Sequence, residues 1–87
     1  MNKGQELWKR AITSIPGGNG LLSKRPARYA QESWPVYFDS AKGVIVNDLD
    51  GNSYVDMAQM GIGSAILGYS NDRVNKKVKA AIDNGIN

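Results

Sequence analysis

The sequence contains no cysteine and no histidine. Without cysteine there is no disulfide, no thiolate nucleophile, no iron–sulfur cluster and no Cys-based zinc site. Without histidine, every Ser–His or Cys–His catalytic pair is excluded. The commonest metal ligand and the side chain that titrates near physiological pH are missing too. No metal centre is expected. Long apolar runs are also lacking. The longest patch, Gly61 to Leu67, falls far short of the ~20 residues that a membrane-spanning helix needs. Met1-Asn2-Lys3 is not followed by the apolar core of a signal peptide. The expectation is a soluble, cytoplasmic protein that makes no use of a membrane. Its chemistry must come from carboxylates, amines, hydroxyls and backbone.

What is present is 87 residues, 41% hydrophobic and 22% charged, an ordinary balance for a folded chain. That length allows one small domain or part of a larger one, and its core is marginal. Ten glycines point to tight turns or close backbone approaches. The net charge is +3 and unevenly placed: residues 1–42 hold seven basic against three acidic side chains, residues 43–87 four against five. A basic first half can attract phosphate, carboxylate or nucleic acid; it is also what a solvated lysine surface looks like.

Leu7, Trp8, Ala11, Ile12 and Ile15 share one face of a helix, which predicts a helix over 5–15. Pro16-Gly17-Gly18 stops it. Residues 16–35 show no sustained period and read as a loop. A loop that long is usually functional or disordered. Residues 36–57 predict three antiparallel strands in a meander. Ala41-Lys42-Gly43 joins the first two, and Asp50-Gly51 is a strong hairpin signal between the second and third. Residues 58–69 are apolar and glycine-punctuated, which suits a pocket lining or a buried connector. Ser70 or Asn71 caps a final helix over 71–84, with Gly85 at its end. The fold class is α+β.

Several motifs fail on inspection. Gly61-Ile62-Gly63 opens like a dinucleotide fingerprint, but Ile66 stands at the third glycine position. Gly63 and Gly68 have P-loop spacing, yet Tyr69 replaces the phosphate-binding lysine. Asp48, Asp50 and Asn52 start like a calcium loop, but Ser53 and Gln59 occupy the glycine and glutamate positions. All seven lysines lie in polar contexts, unlike the desolvated amine of a Schiff base. No pair of carboxylates is spaced for acid–base work. Lys24, Arg25 and Arg28, with Trp34, Tyr37 and Tyr54, could bind single-stranded nucleic acid by charge and stacking. Alternatively, an arginine on this loop could grip a carboxylate with its planar fork.

Ile15-Pro16-Gly17-Gly18, Ala41-Lys42-Gly43, the run from Asp48 to Asp56, and Ile66-Leu67-Gly68-Tyr69 together resemble the amino-terminal part of class III pyridoxal-phosphate aminotransferases. The Pro-Gly-Gly start resembles the glutamate-1-semialdehyde 2,1-aminomutase branch. The resemblance covers nearly the whole chain. It implies the amino-terminal part of a fold-type I transferase, with a helix, a small-domain β-meander and a glycine-rich pocket stretch, acting as a homodimer on a small amino or keto substrate. It implies that Met60, Gly61, Ile62 and Gly63 line the substrate side of the pocket. It also implies that Ser23 and Arg28 contact a substrate carboxylate, with Arg25 as the rival. The branch carries an aromatic residue where this chain has Met60-Gly61-Ile62, which favours a different substrate, and Tyr69 stands where a histidine is usual. The residues that hold pyridoxal phosphate have no counterpart in this stretch. The reading is therefore one part of an aminotransferase, inactive alone; a small basic nucleic-acid-binding module is the alternative.

Overall fold

A computed structural model describes residues 2–58 and 61–85. Helix α1 spans Lys3–Ala11. It begins earlier than its apolar stripe because the Asn2 side chain accepts the amide of Gln5 at 2.8 Å, satisfying one of the free amides of the first turn. It ends at Ala11 rather than at Ile15. There the Thr13 hydroxyl donates to the Arg10 carbonyl at 2.7 Å and the amides of Thr13 and Ser14 bond three residues back. Local side-chain bonding of this kind competes with the helical ladder.

The segment after Pro16 is more ordered than its lack of periodicity suggests. It forms three short 3₁₀ turns, Pro16–Gly18, Leu22–Lys24 and Pro26–Arg28. A proline opens two of them, where its fixed φ and missing N–H cost nothing. The strands are β1 (Phe38–Lys42), β2 (Ile45–Asp48) and β3 (Ser53–Val55), in a sheet of order β1-β2-β3. The expected antiparallel meander is there, shifted along the chain. The Tyr37 amide donates to the Pro35 carbonyl at 2.7 Å across Val36, whose φ is +59°, and this tight turn delays β1. Ala41 and Lys42 belong to the strand, so Gly43 and Val44 make the connection. Helix α2 spans Asp72–Asp83, with the Asn71 side chain accepting the amide of Val74 at 3.1 Å. The Asp72 carboxylate meets Lys42 Nζ at 2.7 Å. Among the described residues no helix is long and apolar enough to cross a membrane.

The chain divides into two compact units, residues 1–40 with 47–53, and residues 41–46 with 54–87. In the first, the Trp8 indole lies on Gly18, where an added Cβ would stand 2.5 Å from the ring. Gly18 also has φ +75° and accepts the Tyr37 hydroxyl on its carbonyl. Tyr29 and Trp34 stack with centroids 4.0 Å apart. Asp48, only 4% exposed, accepts from the Asp50 amide at 2.9 Å, the Asn52 amide at 2.8 Å and Asn52 Nδ2 at 3.0 Å. Its carboxylate is committed to the Asp50-Gly51 turn. No group of three acidic side chains that could hold a metal occurs among the described residues. Among the described residues of the second unit, Val46 is buried, at 2% exposure.

Candidate functional site

The glycine-rich stretch between β3 and α2 is built as a loop with a tied neck. At its start, the Asp56 amide donates to the Val44 carbonyl at 2.7 Å. At its end, Gly43 and Tyr69 form an antiparallel bridge with both bonds at 2.9 Å. Gly68 allows this approach: its φ is +83°, and a Cβ there would stand 2.9 Å from the Gly43 carbonyl oxygen. The Tyr69 hydroxyl then donates to Asp56 Oδ2 at 2.6 Å, joining the residues on either side of the loop. Asp56 Oδ1 accepts the Ala58 amide at 2.8 Å. The carboxylate beside it, together with partial burial, pushes the Tyr69 phenol up to about 12. Beyond the neck, Lys42 Nζ donates to the Ser70 carbonyl at 3.1 Å as well as to Asp72. The Lys42 ammonium holds the Asp72 carboxyl below its ordinary range.

Three of the expected pocket residues lie together at the exposed part of this loop. Gly61, Ile62 and Gly63 have φ of +53°, +43° and +76°, and Ile62 is 87% exposed. Met60 lies outside the described residues. Ser23 and Arg28 belong to the other unit. Both are exposed. The Ser23 carbonyl accepts the Tyr29 hydroxyl at 3.2 Å. The Arg28 guanidinium makes no hydrogen bond or ion pair among the described residues. Arg25 is placed differently. It is half-buried, lies over Gly17, and donates to the Pro16 carbonyl at 3.4 Å.

The pairing of Asp56 with Tyr69 is the feature that the sequence reading missed. The two residues are thirteen apart and follow no periodic pattern. The available signal was that each flanks the glycine-rich stretch. The lysines do not fit a cofactor-bearing role. Six of the seven are exposed, Lys24 being the half-buried one, and a Schiff-base amine needs desolvation.

Comparison with known proteins decides the family. Glutamate-1-semialdehyde 2,1-aminomutase of Methanosarcina acetivorans is 34% identical over 85 residues, 98% of this chain and 19% of the relative. The 3-aminobutyryl-CoA aminotransferase of Cloacimonas acidaminovorans is 33% identical over 82 residues, 94% of this chain and 19% of the relative. The aminomutase of Alkaliphilus oremlandii is 37% identical over 86 residues, 99% of this chain and 20% of the relative. The chain belongs to this family of aminomutases and aminotransferases, as one piece of it. It spans about a fifth of the length of the curated relatives it matches. No family model matches the chain, and no solved structure does. None of these relatives' names refers to nucleic acid, and two of the aromatic residues on the basic segment, Tyr29 and Trp34, are stacked on each other.

Proposed function

We propose that this chain is the amino-terminal part of a class III pyridoxal-phosphate-dependent aminotransferase or 2,1-aminomutase, and that it supplies the substrate-side wall. The carrying observation is the match, at 33–37% identity, to aminotransferases and aminomutases along nearly the whole chain. Pyridoxal phosphate supplies the amino-transfer chemistry when bound, and residues outside this stretch hold it. What these residues contribute is recognition. Arg28 offers a free planar guanidinium, which binds a carboxylate through two parallel charge-assisted bonds. Ser23, on the same segment, adds a hydroxyl donor. Arg25 is the weaker candidate because its guanidinium already serves the Pro16 carbonyl. The exposed backbone of Gly61, Ile62 and Gly63 forms the wall against the body of the substrate. With no bulky ring at these positions, the substrate favoured is an amino or keto compound other than glutamate-1-semialdehyde. The intact protein is cytoplasmic and works as a homodimer in this reading.

The test is a chimera in which these residues replace the matching fifth of the Methanosarcina acetivorans aminomutase. Arg28→Ala in that chimera raises KM for a carboxylate-bearing substrate by roughly 10- to 100-fold, the range expected for a hydrogen-bonded charged group. Arg25→Ala leaves KM nearly unchanged. Unchanged kinetics in Arg28→Ala removes the assignment.

A further inference from the structure

Among the described residues of the 57–68 stretch, the large apolar side chains are open to solvent. Compact surface loops are ordinarily packed by the residues they contain. Here Met57 is 90% exposed, Ile62 87% and Ile66 89%. The backbone is also in a conformation that relaxes easily: Gly61, Ile62 and Gly63 all have positive φ, and for a β-branched residue such as Ile62 that region is strained. Such a conformation persists where the surroundings over-determine it. Three ties hold the neck. Two are made by backbone, the bond from the Asp56 amide to the Val44 carbonyl and the paired bonds between Gly43 and Tyr69. The third is the bond from the Tyr69 hydroxyl to Asp56 at 2.6 Å, which links the two ends of the loop directly.

We infer that Asp56 and Tyr69 are positioning residues, whose side-chain bond keeps the neck of the 57–68 loop closed and so fixes the orientation of Gly61, Ile62 and Gly63. Neither needs to touch substrate to do this. The consequence for the substrate wall rests on the function proposed above; the closure of the neck does not. A phenol donating to a carboxylate is a charge-assisted bond, stronger than a neutral pair. Removing the hydroxyl leaves the bridge backbone intact but allows its ends to separate.

The experiment is amide hydrogen exchange on the chimera described above and on its Tyr69→Phe variant. We expect the amides of Gly43, Asp56 and Tyr69 to exchange roughly tenfold faster in the variant, while the amides of α2, such as Asn75, keep their rates. Equal rates at the neck overturn the inference. Should Tyr69→Phe speed exchange everywhere, α2 included, the comparison moves to Asp56→Asn, which keeps an acceptor oxygen and the tyrosine ring. There a smaller acceleration confined to the same three amides supports the neck, and unchanged rates contradict it. In the chimera, Tyr69→Phe raises KM several-fold with kcat held; a loss of folded enzyme would lower kcat instead. A neck that opens as described in an inactive chimera leaves the neck standing and sinks the aminotransferase reading.

Discussion

Tyr69 and Asp56 show what one hydrogen bond controls at the residue scale. Tyr69→Phe removes a bond to a carboxylate at a partly exposed site and should cost about 1 kcal/mol of stability. The cost depends on pH in a fixed direction. The folded phenol sits at about 12, above its unfolded value of about 10, so its contribution is complete below about pH 10. It is lost as pH rises toward 12. Asp56 is the carboxylate that faces the phenol, while the nearby Lys42 ammonium is engaged by Asp72. Urea unfolding of the wild type and Tyr69→Phe should therefore differ at pH 9 and converge near pH 12. A difference that stays constant contradicts the pairing. The Lys42–Asp72 ion pair is solvent-exposed; Lys42→Met should cost a few tenths of a kcal/mol at most, and less in high salt. Gly18 is the opposite case. Gly18→Ala sets a Cβ into the Trp8 ring at a positive φ, so destabilisation should exceed 1 kcal/mol, read as a lower urea midpoint.

At the scale of elements, α2 depends on its cap. Asn71→Ala frees the Val74 amide and should cost about 1 kcal/mol, visible as lost helical circular dichroism. The features that short-range chemistry decides could be read from the sequence. Asp50-Gly51 placed a hairpin turn, and the structure shows why: Asp48 gathers the amides of Asp50 and Asn52. Asn71 was legible as a cap for the same reason. Less legible were features set by competition. The end of α1 is decided by the Thr13 hydroxyl and not by the apolar stripe that continues to Ile15. The start of β1 is decided by the turn at Val36. The bond between Asp56 and Tyr69 was hidden because it depends on the Gly43 bridge, which no local pattern announces. The candidate site was legible only in part. The resemblance implied Arg28 with Arg25 as rival; the two differ in that Arg25 is half-buried over Gly17 and bonded to the Pro16 carbonyl, whereas Arg28 is exposed.

For the molecule as a whole, the decisive fact is how much apolar surface remains uncovered. Met57, Ile62, Ile66 and Leu67 are exposed, and so are Val74, Val78 and Ile82 on α2. A soluble monomer rarely leaves so many large apolar side chains open. Under the function proposed above, the rest of a longer protein covers them; the relatives are about five times the length of this chain. The chain alone should accordingly bind a hydrophobic dye; a chain that leaves the dye dark speaks against this. The most direct measurement is amino-group transfer from an amino acid to a keto acid, with pyridoxal phosphate supplied. It compares the 87-residue chain alone with a second chimera that carries it in place of the matching fifth of the Cloacimonas acidaminovorans aminotransferase. Transfer by the chimera and none by the chain alone is the expected result. A soluble, folded chimera that transfers nothing, or an isolated chain that turns over, contradicts it.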